Sequence, residues 1–252
     1  MLAIERRREI LSKLSLDGKV IVSELAREFN VTEETIRRDL EKLDHDGLAS
    51  KTYGGAVSRQ NSTLDLPYSI RENANVEEKQ AIADKVAELI GDGERIMVDS
   101  SSTSLYIIKK LKEKRNLTII TNSVKILLEL AEKQNWTILS TGGMLKKGAL
   151  ALNGSSAEKM ISSYHVDTVI LSCKGIDASL GITDSNENDS IIKQAMIASA
   201  ERRILAIDSE KFDKKSFVKI CSFSDIDVIA TDKEPPEKWL GVCAENGIDL
   251  VY

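Results

Sequence analysis

Cysteine, histidine and proline are all scarce in this chain, and long hydrophobic runs are missing. The three cysteines (Cys173, Cys221, Cys243) are odd in number and far apart, which argues against a disulfide framework and fits reduced thiols in a cytosol. His45 and His165 are the only histidines, so the chain holds no Cys/His spacing of a zinc site, and neither metal nor cofactor is expected. No apolar h-region follows the basic Arg6–Arg8 run, and no apolar run is long enough to span a bilayer, so a cytoplasmic location is expected. Neither a Walker A string nor G-x-G-x-x-G occurs, which leaves nucleotide binding by those routes unsupported. An excess of positive charge is also missing. The formal net charge is −5, which argues against a broad polyanion-binding surface but leaves room for a local one.

What is present is an ordinary globular composition, with 42% hydrophobic and 30% charged residues over 252 positions. That length allows one or two domains with a sizeable core. Acids and bases nearly cancel within residues 1–57, so any contact with DNA there depends on placement and not on bulk charge.

The stretch 31–43 reads V-T-E-E-T-I-R-R-D-L-E-K-L. Thr32 suits a helix N-cap, and Glu33 and Glu34 suit the positive end of the helix dipole. Ile36, Leu40 and Leu43 fall on one stripe for burial. Thr35, Arg38 and Lys42 occupy the opposite face, with Arg37 on its flank. A second helix is predicted over 22–29, with Val22, Leu25, Ala26 and Phe29 on one face. The joint Asn30-Val31 is short enough for a helix-turn-helix or for a plain αα-hairpin. An earlier helix over 2–16 is expected to bury Ile4, Ile10, Leu11 and Leu14 and to leave Glu5 and Arg6–Arg8 outside. Residues 48–57, with Gly54-Gly55 between short extended pieces, predict a β-hairpin carrying Lys51 and Tyr53 near its tip. Three helices and a hairpin make the winged form of the motif.

The run R-R-E-I-L, then G-K-V-I-V-S-E-L-A-R-E-F-N-V-T-E-E-T-I-R-R-D-L-E-K-L, G-L and Y-G-G-A, resembles the N-terminal domain of the DeoR family of bacterial transcriptional regulators. One departure is Lys51-Thr52-Tyr53, where the family often reads Arg-x-His. The resemblance implies DNA binding through Thr32, Thr35, Arg37, Arg38 and Lys42, with a wing contact from Lys51 and Tyr53.

Residues 58–75 are polar, contain Pro67 and read as a linker. From residue 76 onward, helical patterns (77–90, 102–114, 123–134, 190–202, 235–246) alternate with short β-branched runs (95–99, 117–121, 137–141, 168–172, 204–208, 227–231, 249–251). Alternation of this length predicts an α/β domain with a mostly parallel, Rossmann-like sheet over 76–252. The expected fold is therefore multidomain: a small winged helix-turn-helix over 1–57, a linker, and the α/β domain.

Open α/β sheets bind ligands beyond the carboxyl ends of their strands. Those ends carry Asp99 followed by Ser101, Ser102 and Thr103; Thr121 followed by Asn122 and Ser123; and Gly142-Gly143. Hydroxyls and backbone N–H groups opening a helix suit a phosphate. Simple N-capping by the same residues is the competing reading. Lys174, directly after an apolar strand, and Lys193 are candidate cations, and Asp177 lies just beyond Lys174. Cys173 reads as a packed apolar residue.

D-S-S-S-T, T-N-S, G-G, K-G-I-D, G-I-T and I-I-K-Q-A-M-I resemble the sensor domain of the DeoR family. The resemblance implies a fold similar to ribose-5-phosphate isomerase and the binding of phosphorylated sugars or related intermediates. Lys174 stands where family members often carry an acid. The expectation is a repressor of carbohydrate-metabolism genes, a homo-oligomer with operator DNA and a phosphorylated sugar as partners, and no membrane. The alternative is a sugar-phosphate isomerase fused to a DNA-binding domain. No catalytic residue is expected, because loose alignment sets Gln194 where a carboxylate base is needed.

Overall fold

The computed structural model describes residues 1–57 and 66–252, and the chain divides between Ala74 and Asn75 into two units. In the first, Gly18 takes the left-handed conformation (φ 71°) and ends α1 (Ala3–Asp17). A strand β1 (Lys19–Ile21) leads into α2 (Val22–Glu28). Asn30, also left-handed (φ 51°), turns the chain into α3 (Glu33–His45). That turn is closed by Val31 N–H donating to the carbonyl of Ala26 at 3.0 Å. Strands β2 (Ser50–Lys51) and β3 (Gly55–Val57) follow, and β3 pairs antiparallel with both β1 and β2. Gly55 is required where β3 crosses β1, since a Cβ there would lie 1.9 Å from the Val20 carbonyl oxygen. The predicted hairpin is thus the outer part of a three-stranded wing.

Two expectations for this unit are corrected. Ile4 is exposed and Arg6 is buried. The buried stripe of α1 is centred on Ile10 and Leu14, and Arg6 extends it by one turn while Ile4 falls at its edge. The linker reading also fails over its second half. Helix α4 (Tyr68–Asn73) buries Tyr68 and Ile70, and Ile70 joins the core of the first unit beside Leu66. The spacing of Leu66 and Ile70, one turn apart around Pro67, carries that signal within a polar stretch. Residues 58–65 of the predicted linker lie outside the described residues.

The second unit opens with α5 (Val76–Leu89), followed by β4 (Arg95–Val98), α6 (Ser102–Lys110), β5 (Thr118–Thr121), α7 (Val124–Leu130) and β6 (Thr137–Ser140). A hairpin of β7 (Met144–Lys146) and β8 (Ala151–Asn153) comes next, then α8 (Ser155–Ser162) and β9 (Val166–Leu171). After β10 (Gly175–Asp177), β11 (Gly181–Asp184) and α9 (Glu187–Ala198) come β12 (Ala200–Ala206), β13 (Val218–Cys221), β14 (Val228–Ala230), α10 (Glu237–Asn246) and β15 (Asp249–Val251). Among the described residues, seven strands form a parallel sheet in the order β15-β14-β12-β9-β4-β5-β6, and β10, β11 and β13 form a small antiparallel sheet. The helix predicted over 190–202 is shorter at its end. Arg202 and Arg203 lie in β12, where Arg202 pairs in register with Thr168 of β9 and reaches Glu94 at 3.1 Å. Trp239 is fully buried in the core, with Phe212 and Phe223 edge-on at 5.2 and 5.6 Å. No helix of the described residues is long and apolar enough to cross a membrane.

Candidate functional site

Two surfaces carry the candidate residues. On the first unit, α3 is capped as its sequence predicts: the Thr32 hydroxyl accepts from Thr35 N–H at 3.3 Å. The Thr32 and Thr35 hydroxyls also share a bond of 2.9 Å. Ile36, Leu40 and Leu43 are buried beneath. The outward cations are each held by a nearby acid: Arg37 by Glu33 at 2.7 Å, Arg38 by Glu34 at 3.4 Å, and Lys42 by Asp46 at 2.9 Å. Lys51 of β2 reaches Glu41 at 2.5 Å, and this hydrogen bond holds the Glu41 carboxyl below its ordinary value. Exposed pairs of this kind contribute little to stability, so these cations can exchange their partners for phosphates. The Arg38 side chain is 77% exposed, and Tyr53 stands fully exposed on the wing. Asp39, which sequence reasoning passes over, is buried and takes Arg6 at 2.5 Å and Arg7 at 3.1 Å.

On the second unit, strands β4, β5 and β6 proceed in one direction across the sheet, while β9, β12, β14 and β15 proceed in the other. The reversal falls between β4 and β9, the place where such sheets hold ligands. Asp99, just past β4, ties the two together. One carboxylate oxygen accepts from Ser172 N–H beyond β9 at 3.0 Å. The other accepts from Ser101 N–H at 3.0 Å and from the Ser104 hydroxyl at 2.6 Å. Lys193 of α9 donates to Asp184 at 2.5 Å and to the Ser172 carbonyl at 2.7 Å, and lies 3.5 Å from Asp99. Burial alone would raise the Asp184 carboxyl. The Lys193 ammonium, by its charge and its hydrogen bond, more than offsets this and holds it below the ordinary value. Burial likewise opposes the Lys193 charge, and the carboxylates of Asp184 and Asp99 reverse that, so the ammonium sits above its usual range.

One turn before Lys193 on the same helix, Asp189 begins a second network. It accepts from Asn153 of β8 at 2.6 Å and from Lys146 of β7 at 2.7 Å. Asn153 in turn accepts from the Asn122 amide at 3.4 Å, and the same amide donates to the Leu152 carbonyl at 3.2 Å. Asn122 is buried, and its side-chain oxygen has no partner among the described residues.

The structure therefore brings Asp99, Ser101 and Lys193 together at the reversal, with Asn122 one strand away just past β5 and Ser102 and Thr103 buried in the first turn of α6. It assigns other work to several predicted residues. The Ser101 and Ser123 hydroxyls cap α6 and α7. The Thr121 hydroxyl donates to the Val98 carbonyl at 2.7 Å inside the sheet and is wholly buried. Asp177 accepts from Ser179 N–H and Leu180 N–H to close the β10–β11 turn. Gly143 (φ 102°) is a glycine because a Cβ would meet the Asn153 carbonyl oxygen at 2.5 Å. Lys193 is fully engaged by the protein. Lys174 is half-buried, and its charge is felt at Asp184. Burial pushes the Cys173 thiol up to about 12, as befits a packing residue. Gln194 is exposed and donates to the Ile220 carbonyl of β13 at 3.0 Å. It faces β13 and not the cluster, so, against the expectation, the residue at this position does not decide whether the cluster holds a base. Asp184, Ser172, Lys146, Asn153 and Asp189 join these networks although the sequence pattern does not single them out. Of these, Asp184 is the one with a local signal, since it closes G-I-T-D at the end of a strand. A separate open cleft of about 780 Å3 at the ends of β12 and β14, lined by Ser209, Lys233 and Pro235 among others, contains none of the predicted residues.

Comparison with known proteins covers both units. Residues 6–62 match the family described as the DeoR-like helix-turn-helix domain, and residues 74–233 match the DeoR C terminal sensor domain. The HTH-type transcriptional regulator YulB of Bacillus subtilis (strain 168) is 42% identical, with 92% of this chain and 90% of that one covered. The L-fucose operon activator of Haemophilus influenzae is 34% identical (96% and 97% covered), and the glycerol-3-phosphate regulon repressor of Escherichia coli K12 is 30% identical (98% and 97% covered). Among solved structures, ribose 5 phosphate isomerase A from Neisseria gonorrhoeae is similar at a TM-score of 0.41 and 14% identity, over 54% of this chain and 53% of that one. The chain belongs to the DeoR family of DNA-binding transcriptional regulators.

Proposed function

We propose that the second unit binds a phosphorylated sugar or a related phosphorylated intermediate at the strand ends around Asp99 and Asn122, and that this ligand modulates operator binding by the first unit. The observation that carries this reading is the Asn122 side-chain oxygen, buried without a partner among the described residues. An unpaired buried acceptor costs about 1–3 kcal/mol, and a ligand hydroxyl relieves that cost. The phosphate is placed on the first-turn N–H groups of Ser102 and Thr103, which have no acceptor within their own helix. Lys174 or Lys146 supplies the counter-charge, while Lys193 and Asp99 frame the floor. Gly142 and Gly143 set the hairpin that carries Lys146, and Thr121 and Ser123 hold the backbone on either side of Asn122, while Asp177 closes the far end of the β10–β11 hairpin. DNA is read by Thr35 and Arg38, with Thr32, Arg37, Lys42, Lys51 and Tyr53 on the phosphates and the wing.

The protein is a regulator without turnover. The carboxylates at the cluster are occupied: Asp99 accepts three hydrogen bonds, and Asp184 is held ionised by Lys193. A carboxylate held below its ordinary value is a weak base for aldose–ketose proton transfer. Repression of carbohydrate-metabolism genes is the proposed output, and two or more subunits on paired half-sites supply the affinity that one winged unit lacks. A thermal-shift panel of sugar phosphates against the corresponding free sugars tests the reading. A phosphorylated ligand at about one hundred times its Kd adds about 2.7 kcal/mol of stability. No stabilisation by any phosphorylated sugar, or accumulation of isomerised product, defeats it.

A further inference from the structure

We propose that Asp39 is a positioning residue for DNA reading: clamped by Arg6 and Arg7, it sets the rotation of α3 without touching DNA. The inference rests on the assignment of α3 as the reading helix. Asp39 lies one turn from Ile36 and Leu43 of the buried stripe, and one turn from Thr35 and Lys42 of the outward face. It therefore sits on the seam between core and DNA face. Its side chain is 4% exposed and that of Arg6 is 8% exposed, so this is an interior contact. Arg6 Nε donates to one carboxylate oxygen at 2.5 Å and Arg7 Nη1 to the other at 3.1 Å. Two donors from successive residues of α1, each holding a different oxygen of one planar group, fix both where α3 lies and how it is turned about its axis. A purely apolar seam fixes the first and tolerates drift in the second.

The magnitude favours a functional reading of this clamp. At roughly 6 Å from the axis, half the outer diameter of a helix, a turn of about 20° moves a base-reading side chain by about 2 Å. Hydrogen-bond readout of a base edge does not survive such a displacement, whereas contacts to phosphates, made by long and mobile side chains, largely do. Loss of the clamp should therefore reduce discrimination between DNA sequences more than affinity for DNA as such.

The test uses the full-length protein and two duplexes: one selected by the wild-type protein from a random-sequence pool, and a scrambled duplex of the same composition. In the double variant Arg6→Met, Asp39→Leu, apolar side chains replace the buried pair, an exchange that commonly preserves stability. The expected result is a wild-type thermal transition, scrambled-duplex affinity within about twofold, and preference for the selected duplex reduced at least about tenfold. Preference kept within about twofold in the folded variant overturns the proposal, as does an equal loss on both duplexes. If the double variant does not fold, Asp39→Glu decides: it keeps the charge and the pairing but pushes α3 outward by one methylene. Lost preference in the folded Asp39→Glu protein supports the clamp, and retained preference overturns it. Arg38→Ala is run alongside. If it too keeps full preference, the assignment of the reading helix has failed and not the clamp alone.

Discussion

Replacing Lys193 by methionine removes the ammonium between two buried carboxylates while keeping most of the volume of its stem. The Lys193 side chain is 11% exposed, and those of Asp184 and Asp99 are 4% and 1% exposed, so solvent screens little of the loss. Breaking a buried pair by removing one partner costs about 3–5 kcal/mol, because the remaining charge is left uncompensated. For a unit of this size each kcal/mol lowers Tm by about 2–4 °C. The second unit of Lys193→Met is therefore expected to melt about 6–20 °C lower by calorimetry, with the first unit unchanged. The pH dependence distinguishes this cause from simple loss of packing. In the wild type the folded Asp184 carboxyl lies below its ordinary value of 3.8. Its contribution is fully present above that value and is lost as pH falls through the folded one. In the variant only the Lys174 charge and the Ser185 N–H still oppose burial, so the folded carboxyl rises relative to wild type and protonation relieves part of the penalty. The deficit against wild type should be full near neutral pH and shrink as pH falls toward about 4. A deficit that stays constant between about pH 7.5 and about pH 5 would refute the electrostatic account.

The same residue shows how much of the site is legible in the chain. Local features are legible, because their causes lie within a turn or two: the Thr32 cap, the Ile36–Leu40–Leu43 stripe and the alternation of strands and helices all stand as the spacing implies. Lys193 can be picked out from its helix, but its partners cannot. Asp184 is nine residues away and Asp99 far earlier in the chain, and only the folded sheet joins them. Gln194 falls one residue beyond the cluster position, and one residue on a helix is a rotation of about 100°. That rotation moves it from the cluster to the β13 side. Ser101, Ser123 and Thr121 read as ligand donors because a hydroxyl opening a helix serves equally as a cap or a ligand group, and the structure chose the cap or the sheet backbone. The Arg6–Asp39 clamp is invisible for a different reason. Three arginines in a row read as a solvated face, and the inward one is marked only by its place one turn before Ile10 on the buried stripe, a position where an arginine gives no hint of its distant partner.

Arg38→Ala should leave the fold intact and abolish preference for the selected duplex in a gel shift at fixed salt, whereas Arg37→Ala should weaken all duplexes alike and flatten the salt dependence; unchanged binding in both removes α3 as the reading helix. Gly143→Ala should destabilise the β7–β8 hairpin, since φ 102° and an Asn153 carbonyl oxygen 2.5 Å from where the Cβ would fall leave no room for the methyl group; hydrogen exchange that is no faster at residues 144–153 counts against it. Asn122→Ala bears on the ligand site itself. The substitution removes the unpartnered oxygen together with the amide that holds Leu152 and Asn153. In the absence of ligand, gain and loss partly offset, so stability should change by no more than about 1 kcal/mol. In the presence of a ligand whose hydroxyl satisfies that oxygen, the variant forfeits the bond and affinity should fall about ten- to a hundredfold. Titration calorimetry against whichever sugar phosphate stabilises the wild type measures this directly, and an Asn122→Ala protein that binds as tightly as wild type would show that the ligand, wherever it sits, does not use this acceptor.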